Sequence, residues 1–222
     1  ASHHEEGPGQ NEIDFHYADA LTAADNVETF KWIVNTKAAS NGLYADFSPK
    51  PLAQAPGNGF HINMSAEPGG DDIMGYMIAG LLDKVSDMTA FLNPQFNSYE
   101  RFGKSRAPRY ISWSRENRSQ LIRIPAATGQ FVRAELRSPD PSANPYLAFA
   151  LMIYAALEGI EQRLPLPDAV NTNLFTAPYE VLKDLKMLPD SLKGARAAAK
   201  ASSFIRKHVP ESIIDIYCNG SE

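Results

Sequence analysis

Cysteine, long apolar runs and an excess of positive charge are what this 222-residue sequence lacks. Its one cysteine, Cys218, has no partner within the chain, so a disulfide scaffold is excluded and we expect a reducing, cytoplasmic location. The longest apolar-leaning run, residues 146–157, is shorter than the roughly 20 residues that cross a bilayer, so we predict no membrane partner. A formal net charge of −5 argues against general nucleic-acid binding.

The length allows one large domain or two small ones, at roughly 150 residues per domain.

Charge is distributed unevenly along the chain. Residues 1–30 contain seven carboxylates, three of the five histidines, and no lysine or arginine. The chain therefore begins with an anionic segment that also carries imidazole groups.

Residues 101–137 reverse this pattern, because they hold eight of the eleven arginines and only one lysine. The guanidinium group binds phosphate or carboxylate through two parallel hydrogen bonds, so such a stretch suits small anionic ligands. A solvated charged face is the alternative interpretation. The eight arginines are Arg101, Arg106, Arg109, Arg115, Arg118, Arg123, Arg133 and Arg137.

Alternation of polar and apolar residues predicts strands. In residues 12–17, Glu12, Asp14 and His16 share one face, and we expect the opposite face to be core. In residues 57–65, His61 and other polar residues alternate with apolar residues in the same way. Three further extended segments are predicted at residues 110–114, 120–125 and 131–137.

Helix periodicity is clearest in residues 71–92, where apolar residues recur at steps of three and four. A second helix is predicted from a Thr22-Ala-Ala-Asp25 cap to an Asn41-Gly42 stop, and a third over residues 146–163. The expected fold is therefore α+β, with an antiparallel or mixed sheet whose apolar face packs against helices. Its other face presents His, Glu, Asp, Ser and Arg, which indicates a site.

Glu5 and Glu12 lie on either side of Pro8-Gly9, and a tight turn there predicts that they pair directly across a hairpin. Like charges in that position are destabilising, but a divalent cation between them would turn the repulsion into a binding site. Oxygen ligands with one imidazole suit magnesium or manganese better than zinc, and His61 and Glu135 are further candidate ligands. The alternative is that the two glutamates are exposed turn residues and His61 is a hydrogen-bonded wall residue.

Several ordered motifs resemble the bacterial type I glutamine synthetase family over nearly the whole chain. They are HHEEGPGQNEIDF (3–15), NGFH (58–61), NPQFNSYER (93–101), ISWSRENRS (111–119), IRIP (122–125) and RSPDPSANPYL (137–147). The resemblance implies that residues 1–222 are the C-terminal part of the catalytic domain, contributing to its barrel-like sheet with helices outside. The N-terminal β-grasp domain and the first catalytic strands of such a protein are not in this sequence.

The resemblance also implies a reaction: ATP phosphorylates the γ-carboxylate of glutamate, and ammonia displaces the phosphate to give glutamine. Two magnesium or manganese ions lie between the substrates. By position, Glu5 and Glu12 look like ligands of the metal on the glutamate side, and His61 and Glu135 like ligands of the metal at the ATP phosphates. The remaining implied positions are Gly57, Arg101, Arg118 and Arg137 for glutamate, Ser65, Arg118 and Arg123 for the nucleotide, and Arg118 and Arg137 for catalysis.

One departure from the family concerns the loop that covers the glutamate site. The family usually has a glutamate before Ala-Pro, where it helps to bind ammonium, whereas this sequence has Arg106 before Ala107-Pro108 in a shorter loop. Two like unit charges 4 Å apart repel by ~4 kcal/mol at an effective dielectric constant near 20, enough to change the amine preference if Arg106 points inward. The alternative is that Arg106 points to solvent. Other departures are Pro56 for asparagine, Asn63 for histidine, Glu116 for arginine, and Phe175 for the tyrosine that some members adenylylate.

Two alternatives to glutamine formation therefore stay open. A larger amine could replace ammonia, as in the polyamine branch of the family, or the domain could be non-catalytic and keep the fold for assembly or regulation. We expect little catalysis from the isolated chain in any case, because the resemblance implies ring-forming oligomers in which a neighbouring subunit contributes to each site.

Overall fold

The computed structural model describes residues 2–67, 70–115, 117–125 and 133–220. Within these ranges the chain forms six strands, seven α-helices and one 3-10 helix at Phe96–Glu100. The strands are β1 (Ser2–His4), β2 (Asn11–Ile13), β3 (Ile62–Met64), β4 (Trp113–Arg115), β5 (Ile122–Ile124) and β6 (Ala134–Leu136). The helices are α1 (Ala20–Ser40), α2 (Asp71–Leu92), α3 (Pro145–Gln162), α4 (Tyr179–Leu182), α5 (Leu192–Ala201), α6 (Ser203–His208) and α7 (Glu211–Asn219).

The strands form a separate β1–β2 hairpin and a four-stranded sheet in the order β3–β6–β5–β4. In the larger sheet, β4 and β5 are parallel and the other pairs are antiparallel, so the predicted mixed sheet is confirmed. Each strand of the larger sheet is shorter than its predicted segment. Of the predicted strand at residues 131–137, positions 131 and 132 lie outside the described residues, as does position 116.

The strand register sorts side chains into rows across the sheet. Ile62, Leu136, Ile122 and Trp113 are aligned on neighbouring strands and all are buried. They join one hydrophobic cluster with residues of α2 and α3, so helices cover this side of the sheet. The alternate row carries polar side chains, as a side-chain period of two requires.

Helix α2 has the predicted bounds and the predicted buried stripe, which includes Leu81, Val85 and Met88. It packs against α3 at a close crossing of two glycines. A Cβ on Gly80 would lie 2.1 Å from the carbonyl oxygen of Ala155, and one on Gly159 would lie 2.2 Å from that of Tyr76. Both glycines are needed for space, since their absent side chains let the two helix backbones touch.

Helix α1 begins earlier than predicted. Asp19 is its N-cap and accepts a hydrogen bond from the backbone N–H of Thr22 at 3.0 Å, so the predicted Thr22 cap is wrong. The Asp19 carboxylate accepts from a backbone N–H group that has no partner within the first turn of the helix. Thr22 is therefore an ordinary residue of that turn. The predicted stop is confirmed, because Asn41 caps the C-terminus and Gly42 has a φ of 71°.

The segment after β2 differs from its prediction as a strand with a core face. The strand ends at Ile13, and the side chains of Phe15 and Tyr17 are 45% and 88% exposed. The ring of Phe15 packs edge to face against Phe30 of α1, with centroids 5.4 Å apart, and Phe30 packs against Phe47 with centroids 6.0 Å apart. This small aromatic cluster, rather than the main core, anchors the segment.

None of the helices in the described part of the chain has the length and apolar character to cross a lipid bilayer.

Candidate active site

The acidic hairpin, β1 and β2 with their connecting turn, brings together three metal-ligand types. One side-chain atom each from His3, Glu5 and Glu12 lies within 4.8 Å of the others. Burial, together with a hydrogen bond and the negative charge from Glu5, raises the pKa of Glu12. Facing carboxylates with one imidazole form a donor set that fits a divalent cation such as magnesium or manganese.

The hairpin register differs from the prediction. The turn closes at Pro8-Gly9 as expected, with Gly9 at a φ of 70° and Gln10 N–H donating to the Gly7 carbonyl. However, Glu12 pairs with His3 rather than with Glu5. The reason is that Glu5 N–H donates to the Gln10 carbonyl, which shifts the ladder by two residues and leaves Glu6 outside it. Glu5 and Glu12 therefore meet as diagonal neighbours.

Gln10 also ties the hairpin to the loop before β3. Its Nε2 donates to the Gly57 carbonyl at 3.1 Å and to Oδ1 of Asn58 at 2.8 Å, while its Oε1 accepts from Gly7 N–H at 3.0 Å. The acidic hairpin is thereby held beside the loop that leads to His61. Sequence reasoning missed Gln10, because periodicity carries no signal for a side chain that bridges two loops.

A second group of predicted residues meets on the polar face of the four-stranded sheet. Asn63, Glu135, Arg123 and Ser114 form one row across β3, β6, β5 and β4. Nε of Arg123 lies 2.5 Å from Oε2 of Glu135, and Nη1 of Arg137 lies 2.9 Å from Oε1. The Glu135 side chain is only 5% exposed, so this carboxylate is a buried anion between two guanidinium groups.

His61 lies against the same carboxylate, with its Nδ1 3.3 Å from Oε1 of Glu135. Burial among the surrounding protein groups is the main cause that lowers the pKa of His61, to about 3. The positive charges of Arg137, Arg101, Arg123 and Arg118 lower this pKa further toward that value. The side chain nevertheless leaves 32% of its surface open to solvent. A neutral imidazole has a free nitrogen lone pair for a metal. His61 and Glu135 therefore fit a second cation, which would share Glu135 with Arg123 and Arg137.

Arg101 is buried, as are Glu135 and Arg137. Its Nη1 donates to the Ser138 carbonyl at 3.2 Å, its Nη2 donates to the Pro139 carbonyl at 3.4 Å, and Asp140 lies 3.6 Å away. Burial lowers the pKa of Arg101, and the Asp140 carboxylate opposes that shift. Asp140, which sequence reasoning missed, is fully buried and also accepts a hydrogen bond from Asn93.

Gly57 lies directly beside Arg101. A Cβ at this position would be 2.7 Å from Cγ of Arg101 and 2.5 Å from the Pro49 carbonyl oxygen. Two other predicted residues are at the edge of the group: Arg118 is exposed and Ser65 is half-buried just after β3. Arg133, which was not among the predicted site residues, donates from Nε to Oδ1 of Asn63 at 2.9 Å.

The structure thus brings the predicted residues into two groups. Glu5 and Glu12 are on the hairpin, joined by His3. That histidine had a signal that sequence reasoning did not use, because His3 lies two residues before Glu5, a spacing that places both on one face of an extended segment. His61, Glu135, Arg101, Arg123 and Arg137 are on or beside the larger sheet. Gln10 connects the two groups, and so does an ion pair between Arg106 and Glu6, whose Nη2 and Oε1 are 2.5 Å apart.

The fold and the site define an α+β protein whose sheet presents carboxylate, imidazole and guanidinium groups suited to divalent cations and anions. A model of the family "Glutamine synthetase, catalytic domain" matches residues 1–222. The chain belongs to this glutamine synthetase family.

Individual relatives agree with this assignment. The chain is 42% identical to a glutamine synthetase of Methanosarcina mazei over 238 residues, covering 100% of this chain and 53% of the relative. It is 42% identical over 229 residues to a glutamine synthetase of Thermus thermophilus, covering 96% and 51%. The solved structure of a GmaS/ADP complex superposes with a TM-score of 0.88 at 30% identity, covering 99% of this chain and 54% of that one. The chain spans about half the length of these relatives.

Proposed function

We propose that this chain is the C-terminal catalytic portion of an ATP-dependent ligase that forms glutamine from glutamate and ammonia through γ-glutamyl phosphate. The observation that carries the proposal is Glu135 buried between Arg123 and Arg137, with His61 beside it. Family membership and relatives named glutamine synthetase support the reaction class. The domain assignment of residues 1–222 and a cytoplasmic location are parts of the same proposal.

Each residue group has a task in this reaction. We assign Arg123, Arg118 and Ser65 to the nucleotide, and Arg137 and Arg118 to the transferring phosphoryl group, where guanidinium groups neutralise the developing charge. Arg101 and Gly57 bind glutamate. The buried Nε of Arg137 has no hydrogen-bond partner among the described residues, so this arginine keeps a donor available for an anionic substrate.

The metal ligands in the proposal are His3, Glu5 and Glu12 for one ion and His61 and Glu135 for the other. When bound, magnesium or manganese would reduce the repulsion between the glutamate carboxylate and the ATP phosphates. Before that, the carboxylates of Glu5 and Glu12 lie close together. Burial first, and then this proximity, raise the pKa of Glu12, and a cation between the two carboxylates would relieve their repulsion. His61 stays unprotonated and keeps a nitrogen lone pair for a metal.

The test is magnesium-dependent phosphate release from ATP and glutamate by the full-length parent, with ammonia and then with a panel of amines. We expect release to depend on glutamate and to fall by at least about tenfold in Arg123→Gln, because a positive charge assigned to binding the nucleotide phosphates is lost. Arg163→Gln, an exposed arginine at the end of α3, is the matched control. Absence of turnover with ammonia and with every amine would contradict the proposal.

A second candidate keeps the chemistry but takes a larger amine in place of ammonia. It is favoured by Arg106, whose side chain pairs with Glu6, so this part of the loop has no net negative charge to attract ammonium. The amine panel separates the two candidates, since a higher kcat/KM for ammonia than for any larger amine excludes the second. The non-catalytic alternative predicts no binding of magnesium or ATP to the chain in calorimetry.

We also propose that the full-length parent is a ring-forming homo-oligomer. Large apolar side chains on and near α1 are exposed, including Trp32 at 71% and Tyr44 at 86%, as is typical of surfaces that become covered. Size-exclusion chromatography with light scattering tests this, and a monomeric parent would contradict it.

A further inference from the structure

The loop of residues 103–107 (the 103–107 loop) has an unusual backbone. Ser105 and Arg106 have φ values of 44° and 69°, in the left-handed region that residues other than glycine seldom adopt. The loop closes on itself, because Gly103 N–H donates to the Ala107 carbonyl at 3.0 Å and Ala107 N–H donates to the Lys104 carbonyl at 2.9 Å. Contacts from outside must offset the unfavourable backbone.

Besides the bond from Lys104 N–H to the Arg101 carbonyl at 3.1 Å, Arg106 makes two contacts with distant parts of the chain. Its Nη2 forms the ion pair with Oε1 of Glu6 at 2.5 Å, and its carbonyl oxygen accepts a hydrogen bond from Nη2 of Arg137 at 3.5 Å. One contact joins the loop to the acidic hairpin and the other to the group around Glu135. Arg106 is therefore the residue through which the loop touches both halves of the candidate active site.

The hairpin end of this ion pair is itself fixed. Glu6 lies in the turn that Gln10 ties to Gly57 and Asn58, so its position is set relative to the sheet rather than drifting with a free turn. Glu6 and Pro8 also line a cavity of about 520 Å³ whose other wall is residues 52–56. The ion pair thus stands at the edge of this cavity and places no net charge there.

We propose that Arg106 is a positioning residue, which through its ion pair with Glu6 holds the 103–107 loop against the acidic hairpin and beside Arg137. The position of the loop follows from the contacts alone, whereas any consequence for catalysis rests on the proposed function. Both side chains are about half exposed, so the ion pair is weak. It shifts the equilibrium between the held and the released position of the 103–107 loop by about two- to fivefold.

Hydrogen exchange of the chain, followed by mass spectrometry on peptides that cover residues 103–107, tests the position of the loop. Glu6→Gln and Arg106→Gln each remove the ion pair, and we expect each to speed exchange in this segment by about two- to fivefold. The charge-swapped double variant, Glu6→Arg with Arg106→Glu, should return exchange to within about twofold of the original chain. High salt should reproduce the single variants, because it screens exposed charges.

Lys104→Gln is the matched control, since Lys104 is an exposed cation in the same loop with no side-chain ion pair or hydrogen bond among the described residues. It should leave exchange unchanged. All variants should keep the urea midpoint of the original chain, which confines the effect to the loop. Unchanged exchange in both Glu6→Gln and Arg106→Gln, or an equal increase in Lys104→Gln, would overturn the proposal.

Kinetics of the full-length parent give the second measurement. A loop that opens more often should raise KM for the amine in Arg106→Gln by about two- to fivefold and change kcat by less, and Arg106→Lys should recover part of the loss. A fall in kcat at unchanged KM overturns the positioning role. If the exchange results hold but the unmodified parent shows no ligase turnover, the proposed function fails while the positioning of the loop by Arg106 stands.

Discussion

Arg123 and Glu135 are direct cross-strand partners in the β5–β6 register, and their side chains repeat this pairing with Nε and Oε2 2.5 Å apart. The ion pair is therefore built into the sheet and does not depend on a flexible loop. Since Arg137 takes the other carboxylate oxygen at 2.9 Å, one anion compensates two cations. The positive charge that remains unbalanced is what equips this face for an anionic ligand.

Glu135→Gln tests this balance. It removes the negative charge and leaves two guanidinium groups, one of them 4% exposed, without compensation. We expect a loss of about 3 kcal/mol in the free energy of unfolding, measured by urea denaturation, because breaking a buried ion pair leaves an unpaired buried charge. Glu100→Gln, at an exposed position, should change stability by less than about 0.5 kcal/mol. A similar stability for both variants would contradict the buried-anion role.

Metal binding should depend on the hairpin cluster. We expect Glu12→Gln and His3→Gln each to weaken manganese binding by at least roughly tenfold, because each removes one of three clustered donors. Electron paramagnetic resonance of the free ion measures this directly. His16→Gln is the control, since His16 is exposed and outside the cluster. Equal weakening in all three variants would indicate a general charge effect instead of a site.

The acid dependence of stability should report on Glu158. Hydrogen bonds from Lys207 first, then from His208, and the positive charge of Lys84, lower the pKa of Glu158 in the folded chain. A lowered pKa means that this stabilisation is complete above the unfolded value, near 4.3, and is lost as the pH falls through the folded value. Glu158→Gln should therefore cost about 1 kcal/mol at pH 7 and progressively less below about pH 4.

Urea midpoints at several pH values measure this difference. Glu161→Gln is the matched control, because Glu161 is an exposed acid on the same helix, one turn away. It should show no comparable loss at pH 7. A cost of Glu158→Gln that stays constant down to pH 3 would show that packing, rather than charge, is responsible.

Local periodicity predicted much of the fold and of the candidate site. The apolar stripe of α2 and the alternation around His61 and Glu135 are recorded in neighbouring residues, so both the helix bounds and the polar face of the sheet could be predicted. The hairpin register could not, because it is set by the backbone bond from Glu5 N–H to the Gln10 carbonyl, for which alternation carries no signal. The parallel pairing of β4 with β5 is likewise invisible to alternation, which is the same for both strand directions.

The partners of exposed charges also could not be predicted from the sequence. Arg106 stood out as a cation in a loop that resembles an acidic one, yet nothing in its neighbourhood along the chain indicated Glu6, one hundred residues earlier, as its partner. The same holds for the core face expected after β2. Alternation indicated an apolar face correctly, but burial depends on what the rest of the structure places against it.

The glycine crossing of α2 and α3 provides the last prediction. Gly80→Ala would place a methyl group 2.1 Å from the backbone oxygen of Ala155, which no side-chain rotation can relieve, so the helices must separate. We expect a loss of about 3 kcal/mol in the free energy of unfolding, measured by urea denaturation. Gly75→Ala, in the same helix, meets only Leu166 at 3.8 Å and should gain roughly 0.5–1 kcal/mol from helix propensity. Because both variants make the same chemical change in α2, a Gly80→Ala chain as stable as Gly75→Ala would show that the two helix backbones do not meet closely at Gly80.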